Sequence, residues 1–211
     1  MGQRWVCFDV GETLIDETRI WTLWADLLGV TPLTFMATLG AVISDGDDHR
    51  DVFEMVGHPD WRPLVPEFDR RYGGFQQRDL YPDAVSSMQT LRRAGYKVSI
   101  FANQPARRTA ELRALGIEPD LMAMSAEWGV SKPSPDFYRR ALDEMNAAAA
   151  DVAYVGDRLD NDVRPSAQAG IHPVWIRRGP WGVIAGGDVP REALVVDSLT
   201  EFVERIGDWW P

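Results

Sequence analysis

Short apolar runs that end at polar residues recur along the chain and predict buried strands. The first, residues 5–8, stops at Asp9 and Gly11, as expected for a buried strand whose carboxyl end carries a functional loop. Helical segments separate the later runs, and this alternation predicts βαβ units with a parallel sheet covered on both faces. The later candidate strands are residues 97–102, 121–124, 152–155, 174–176 and 194–196.

Residues 15–80 carry a different pattern, in which Trp, Leu and Met recur at helical spacing. We therefore predict a separate helical domain inserted after the first strand, with residues 1–14 and 81–211 forming the core. The predicted fold class is α/β, a doubly wound parallel sheet with a small α-helical domain. Breaks in the helical pattern fall at residues 31–32, 44–48 and 58–59.

Composition and charge narrow the class of protein. Of the 211 residues, 45% are hydrophobic and 26% are charged, which is typical of a soluble globular protein. The chain has 22 Lys and Arg against 32 Asp and Glu, and its formal net charge of −10 argues against a nucleic-acid surface or adhesion to anionic membranes. Because the N-terminus has no long apolar run, we expect neither a signal peptide nor a membrane anchor.

The single cysteine, Cys7, has no partner for an internal disulfide, which fits a cytoplasmic protein. It lies within an apolar run, and this position predicts a buried packing role. Near the C-terminus, Trp209 and Trp210, followed by Pro211, are expected to dock either on the core or on a second subunit. The assembly expected is a monomer or a homodimer.

Polar residues stand where the predicted strands end. Asp9 follows the first strand, Asn103 the second and Lys132 the segment after the third, while Asp157 and Asp162 follow the fourth. In parallel sheets, ligands bind beyond the carboxyl ends of the strands. We therefore expect these side chains to meet at one edge of the sheet.

Such a set has a chemical logic. Mg²⁺ takes oxygen ligands, so two or three carboxylates with a backbone carbonyl suit it. A carboxylate beside that ion can attack a phosphoryl group and form an aspartyl phosphate, while the metal and a lysine neutralise charge on the transferring oxygens. The sequence has no Cys/His cluster with the spacing of a usual zinc centre.

Four motifs together resemble the haloacid dehalogenase superfamily. They are FDVGETL at residues 8–14, YPDA at 81–84, KP at 132–133 and GDRLDND at 156–162. Each is weak alone, but their order and their places at predicted strand ends argue against a chance match. The resemblance covers nearly the whole chain. It implies a Rossmann-like core with a mobile helical cap between the first and second motifs.

By this resemblance, Asp9 is the nucleophile and a metal ligand, and Lys132 holds Asp9 and the phosphate in position. Asp157 binds the metal directly, Asp162 supports the metal shell, and the backbone carbonyl of Gly11 is a further ligand. The implied cofactor is Mg²⁺, and the implied substrate is a small phosphorylated metabolite.

Position 11 departs from the family pattern. Phosphatases of the family have a second aspartate there, which protonates the leaving oxygen and later activates water, whereas this chain has Gly11. General acid–base catalysis contributes ~10²–10⁴-fold in rate. Glu12 is the candidate substitute, although side chains of neighbouring residues on an extended segment point in different directions.

Position 102 departs as well, because Ala102 replaces the Ser or Thr whose hydroxyl binds the phosphoryl oxygen in the family. Backbone N–H groups of the turn and the side chain of Asn103 are the candidate replacements. Thr13, in the opening motif, is a further candidate phosphate-binding residue. In the predicted cap, the residues considered for substrate contact are Arg50, Arg62, Arg70 and Arg71.

Relatives without the second aspartate carry out other reactions. Dehalogenation uses the aspartate nucleophile without a metal, and the acids at 157 and 162 count against it. Phosphonate cleavage needs a Schiff-base lysine from the cap, and residues 15–80 contain no lysine. The sequence thus leaves two hypotheses: a Mg²⁺-dependent phosphatase acting through phospho-Asp9 at a lowered rate, or a catalytically impaired metal- and phosphometabolite-binding or regulatory protein.

Overall fold

A computed structural model describes residues 2–210, and its centre is one six-stranded parallel sheet. The strands are β1 Trp5–Phe8, β2 Lys97–Ala102, β3 Leu121–Met124, β4 Val152–Gly156, β5 His172–Ile176 and β6 Leu194–Val196. They lie in the order β3-β2-β1-β4-β5-β6. All the predicted strands are confirmed, with β4 and β5 slightly longer than expected.

The helices cover both faces of the sheet and form the insertion after β1. Two of them, Ser125–Trp128 and Gly179–Ile184, were not expected from the sequence. None of the described helices is alone long and apolar enough to span a membrane; Thr18–Leu27 and Pro32–Asp45 pass that test only together, as a pair bent by 115°. The helices are α1 Thr18–Leu27, α2 Pro32–Asp45, α3 Asp51–Met55, α4 Val65–Tyr72, α5 Ala84–Arg93, α6 Arg108–Ala114, α7 Ser125–Trp128, α8 Pro135–Met145, α9 Arg164–Gln168, α10 Gly179–Ile184 and α11 Leu199–Trp209.

Strand β1 is buried on both faces. Val6 and Phe8 pack into one hydrophobic cluster, whereas Trp5 and Cys7 pack into the other. Successive side chains of a strand point to opposite faces, and helices cover both faces, so an uninterrupted apolar run suits this central position. The doubly wound α/β fold and the buried place of Cys7 are both confirmed.

Helices α1 to α4 are held together by an aromatic cluster. Trp24 stacks on Phe68 with ring centroids 4.5 Å apart, and Phe53 stacks on Trp61 at 4.3 Å. Trp24 also meets Phe53 edge to face at 5.0 Å. Offset-stacked and edge-to-face pairs add to the free energy gained by burial. The insertion therefore has an apolar core of its own, continuous with the cluster on one face of the sheet.

The chain leaves and returns to the core along one short pairing. The Asp16 N–H donates to Asp79 O at 2.7 Å, and the Tyr81 N–H donates to Leu14 O at 3.0 Å. This pairing lies at the predicted boundaries of the insertion. The division into two domains stays a prediction.

An ion pair fixes the base of the insertion. The Arg19 guanidinium donates to Asp79 from Nε and from Nη2, at 2.9 and 2.6 Å. It also donates to the carbonyls of Tyr72 and Gly74, and it lies 3.8 Å from the Tyr72 ring centroid. Asp79 accepts a further bond from the Gln76 N–H at 2.8 Å. This pair joins α1 to the segment by which the chain returns to the core.

The C-terminal aromatic pair docks on the core. Trp210 is buried, its ring lies 4.9 Å from that of His172, and the Arg4 guanidinium lies 5.0 Å from its centroid. Trp209 contacts the same His172 ring at 5.7 Å. Pro211 lies outside the described residues.

Candidate active site

Three carboxylates meet at the carboxyl edge of the sheet, where the strand order reverses between β1 and β4. Asp9 follows β1 and Asp157 follows β4, and the Asp9 N–H donates to Val155 O at 2.9 Å. Asp162 comes from a single π-helical turn, Leu159–Val163, that follows β4. One carboxylate oxygen from each acid lies within 4.8 Å of the others, and all three residues are buried. Clefts at such a reversal are the usual ligand sites of open α/β sheets.

Lys132 joins two of these acids. Its Nζ donates to Asp9 Oδ1 at 2.7 Å and to Asp162 Oδ1 at 2.6 Å, with the side chain almost wholly buried. Burial by itself would lower the pKa of Lys132, but attraction to the Asp162 and Asp9 carboxylates outweighs burial and raises it. The ammonium therefore stays charged and fixes the orientation of Asp9.

The cluster carries more negative than positive groups. Burial raises the pKa of Asp157 well above its usual value, and repulsion from Asp162 and Asp9 adds to the rise. Burial also raises the pKa of Asp162 to about 6, although the Lys132 ammonium opposes the change. A compact set of buried oxygen ligands with uncompensated negative charge fits a hard divalent cation.

Asn103 positions the lysine loop. Its Nδ2 donates to Lys132 O at 2.9 Å, and its Oδ1 accepts from the Lys132 N–H at 2.8 Å. The amide therefore binds the backbone of Lys132 at two points, from the end of β2. The phosphate contact expected of Asn103 stays a prediction, whereas this positioning contact was not expected from the sequence.

Thr13 and Gly11 differ in their surroundings. Gly11 lines the cavity above the acids, as a backbone ligand must. Thr13 is fully buried and does not line that cavity, and its hydroxyl has no hydrogen-bond partner within residues 2–210. Its carbonyl instead accepts from Arg178 Nη1 at 3.1 Å. This location gives the predicted phosphate contact of Thr13 no support.

Glu12 has both carboxylate oxygens engaged. Oε2 accepts from the Tyr81 hydroxyl at 2.5 Å, and Oε1 accepts from the Glu17 N–H at 3.0 Å. The residue adopts a positive φ of 51°, and its carboxylate packs so closely on Gly179 that a Cβ there would lie 2.4 Å from Oε2. Glu12 lines the cavity. The general acid–base role of Glu12 stays a prediction. Its carboxylate is already hydrogen-bonded to Tyr81 and Glu17.

Glu17 was not expected at the site from the sequence, and it lies beside the segment that follows Asp9. A Cβ built on Gly11 would lie 2.6 Å from Glu17 Oε1 and 3.0 Å from its Cδ. Burial raises the pKa of Glu17 to about 8, and repulsion from Glu12 and Asp9 adds to the rise. No motif marks Glu17, because its place depends on how residues 11–17 fold back on themselves.

A cavity of about 610 Å³ opens above the acids, between the sheet edge and the insertion. Trp21 from α1 and the loop 46–50 form its roof, together with Trp181 from the unexpected helix α10. The His49 ring packs against both indoles, 6.0 Å from Trp21 and 5.8 Å from Trp181, and the two indoles lie 6.3 Å apart. The other lining residues not singled out from the sequence are Gln104, Ser131, Arg158 and Asn161.

Only one of the cap arginines considered from the sequence reaches this cavity. Arg50 lines it and pairs with Asp48, to which its Nε donates at 2.9 Å. Arg70 and Arg71 pair with Glu67 on the outer side of α4. Arg62 lines a separate surface hollow. Of these four arginines, Arg50 alone brings a basic group to the cavity, from the loop after α2.

Comparison with known proteins decides the family. A family model described as haloacid dehalogenase-like hydrolase matches residues 3–170. The chain belongs to this family. Among the curated relatives of this haloacid dehalogenase-like hydrolase, the glyceraldehyde 3-phosphate phosphatase of Pyrococcus abyssi is 29% identical over 95% of this chain and 92% of that protein.

Other relatives match over shorter stretches. The glyceraldehyde 3-phosphate phosphatase of Methanocaldococcus jannaschii is 29% identical over 60% of this chain, and the phosphoserine phosphatase of Thermus thermophilus is 34% identical over 47%. In these two alignments the chain spans about half of the relative, 56% and 41% respectively.

Solved structures share the fold. The putative HAD-hydrolase YfnB from Bacillus subtilis, bound to magnesium, gives a TM-score of 0.72 at 18% identity, covering 98% of this chain and 100% of that one. A dehalogenase with an intermediate complex gives 0.70 at 21% identity, covering 95% of each chain. At these identities the likeness concerns the fold alone.

Proposed function

We propose that this haloacid dehalogenase-like hydrolase is a Mg²⁺-dependent phosphatase of small phosphorylated metabolites that acts through a phospho-aspartate at Asp9. The observation that carries the proposal is the buried Lys132 ammonium, shared between Asp9 and Asp162 at 2.7 and 2.6 Å, with Asp157 in the same cluster. A lysine held in this way fixes a nucleophilic carboxylate and neutralises a transferring phosphoryl group.

The donor set fits the cation that the family implies. Asp9, Asp157 and the Gly11 carbonyl would hold Mg²⁺, with Asp162 supporting them, and the bound cation would supply positive charge to the phosphoryl oxygens. The uncompensated negative charge of the three acids supports this assignment.

The chain's own residues then account for two displacements. A carboxylate oxygen of Asp9 attacks phosphorus, the bond to the leaving oxygen breaks, and that oxygen takes a proton. Water next attacks the phosphorus of phospho-Asp9, which releases inorganic phosphate and restores the carboxylate. Throughout, Lys132 fixes Asp9, and Asn103 fixes the Lys132 backbone.

The cavity supports a small polar substrate. Its volume of about 610 Å³ lies in the range of small-molecule sites, and acids, amides and arginines form much of its wall. The names of the relatives, phosphatases of glyceraldehyde 3-phosphate and phosphoserine, agree with a phosphorylated metabolite of this size. Arg50 and Arg158 are the cationic side chains placed to meet a second anionic group.

A second candidate function follows from Gly11 and Ala102. Neither residue provides the carboxylate or the hydroxyl of the usual phosphatase pattern, so the alternative is a binding or regulatory protein that retains metal and phosphate affinity without turnover. The two are separated by supplying purified protein with Mg²⁺ and p-nitrophenyl phosphate, whose leaving group needs little help from an acid.

The phosphatase predicts turnover that Asp9→Asn abolishes and that a chelator stops. Binding of Mg²⁺ and phosphate by calorimetry, without turnover of any phosphate ester in a panel, would favour the binding protein. Hydrolysis of a 2-haloacid in the presence of the chelator would instead favour a dehalogenase.

A further inference from the structure

A carboxyl group from another residue, Glu17, lies beside position 11, where the chain has no acid. A Cβ built on Gly11 would lie 2.6 Å from Glu17 Oε1 and 3.5 Å from Oε2. The nearer oxygen thus lies about as far from this Cβ position as an aspartate's carboxylate oxygens lie from its own Cβ. Glu17 thus places a carboxyl group where the side chain of an aspartate at position 11 would lie.

The surroundings of position 11, and not its backbone conformation, favour glycine there. Gly11 is not among the residues with positive φ, so its conformation does not itself require glycine. A Cβ at position 11 would contact the Glu17 carboxyl group, which would have to move to admit a side chain. Gly11 and Glu17 therefore form a complementary pair, in which the missing side chain of one makes room for the other.

Glu17 is held in place by backbone contacts on both sides. Its N–H donates to Glu12 Oε1 at 3.0 Å, and Glu12 is in turn held by the Tyr81 hydroxyl. Its carbonyl accepts from the Ile20 N–H at 2.9 Å in the first turn of α1. The Glu12 carboxylate therefore links the Tyr81 hydroxyl to the Glu17 backbone.

We propose that Glu17 is the general acid and base of this site, supplied by the residue that precedes α1 instead of by position 11. The proposal rests on the proposed phosphatase function. As Asp9 attacks phosphorus, the Glu17 carboxyl group gives its proton to the departing oxygen, and an alcohol leaves. The Glu17 carboxylate then takes a proton from the water that attacks phospho-Asp9, so phosphate is released and both groups return to their starting states.

The deciding variant is Glu17→Gln, which keeps the size of the side chain but cannot exchange a proton. With glycerol phosphate, whose alkoxide is a poor leaving group, we expect kcat to fall by ~10²–10⁴-fold. With p-nitrophenyl phosphate, the first displacement continues and the second slows. The variant should then give a burst of nitrophenol and retain one phosphoryl group on Asp9, visible as a mass increase of the intact protein.

Asp16→Asn is the matched control. Asp16 is the adjacent acid, but it lies outside the cavity, where its Oδ1 accepts from the Thr18 N–H at 2.8 Å, and an asparagine keeps that oxygen. We expect wild-type rates with both substrates and no retained phosphoryl group. A purely structural Glu17 would slow both displacements alike and leave no phosphorylated protein.

Restoring an acid at position 11 tests whether an aspartate there can take the place of the Glu17 carboxyl group. Glu17→Ala should lose turnover of glycerol phosphate, and the double variant Gly11→Asp with Glu17→Ala should recover at least tenfold over Glu17→Ala. Equal rates for the single and double variants would count against a shared position.

Two outcomes separate this proposal from the function on which it rests. Asp9-dependent turnover that Glu17→Gln leaves unchanged with glycerol phosphate overturns the role of Glu17 alone. A wild-type protein that turns over neither ester and never carries phosphate on Asp9 overturns both.

Discussion

Two buried ion networks of this protein differ in how their charges balance. The Lys132 network has one ammonium among three carboxylates, whose pKa values are pushed upward at Asp157 and Asp162. The Arg19 network has one guanidinium for one carboxylate, Asp79, and the remaining donors of Arg19 reach backbone carbonyls.

This difference separates binding from stability. A balanced pair with its hydrogen bonds satisfied keeps two segments together and attracts no further ion. A cluster with excess negative charge costs stability in the folded protein and recovers it when a cation binds. The charged side chains of the candidate site thus favour binding of a cation, whereas similar side chains at the base of the insertion favour stability.

The largest effect is expected for Lys132→Ala. The variant removes the Lys132 ammonium from among three buried carboxylates, and removing one partner of a buried ion pair costs about 3–5 kcal/mol. Phosphatase turnover should fall below detection, because Asp9 loses its orienting partner. Urea unfolding in the presence of a chelator measures the loss of stability, and saturating Mg²⁺ should reduce that loss. A variant as stable as wild type without metal would contradict the unbalanced cluster.

Arg19→Ala should be the next largest change, and its effect should fall on stability. The substitution leaves the buried Asp79 carboxylate without a counter-ion, so we expect a loss of about 3 kcal/mol in the free energy of unfolding. Unlike that of Lys132→Ala, this loss should not depend on Mg²⁺. Urea unfolding with and without the cation tests this, and a Mg²⁺-dependent loss would erase the distinction between the networks.

The sequence predicted one network and missed the other for a physical reason. Asp9 and Asp157 directly follow apolar runs that predict strands, and Lys132 follows the segment after another such run. The carboxyl ends of parallel strands meet at one edge of the sheet, whatever path the loops take. Arg19 and Asp79 lie on helical segments far apart in the chain, and their pairing depends on how the insertion packs. No spacing along the chain encodes it.

Within the candidate site, the same reason limits what could be predicted. Glu17 and Trp181 reach the cavity through a turn and a short helix whose paths depend on tertiary contacts. The sequence could indicate that position 11 lacks an acid. It could not indicate which other acid lies near that position. If Glu17 carries the role proposed above, the choice of Glu12 from the sequence was wrong.

Mg²⁺ should stabilise the wild-type protein by a smaller amount. A ligand at one hundred times its dissociation constant that binds only the folded state contributes about 2.7 kcal/mol. Thermal unfolding with increasing Mg²⁺ measures this gain. Asp157→Asn should abolish the shift while leaving stability in the chelator near that of wild type, since burial already disfavours the charge on Asp157. The matched control is Asp79→Asn, which should lower stability but keep the Mg²⁺ shift.

The smallest effect is the pH dependence of the metal-free protein. Burial raises the pKa of Asp162 from 3.8 to about 6, with Lys132 opposing the rise. Between these values the folded protein binds more protons at Asp162 than the unfolded chain does, so its stability falls as pH rises through this window. Asp162→Asn cannot titrate and should lack this component.

The measurement is the difference in unfolding free energy between wild type and Asp162→Asn, taken in a chelator at several pH values from 4 to 7. The difference should shift in favour of the variant as pH rises and level off above about 6. A difference that stays constant across this range would show that Lys132 balances Asp162 completely. The Lys132 network would then be as neutral as that of Arg19, and its affinity for a cation would need another source.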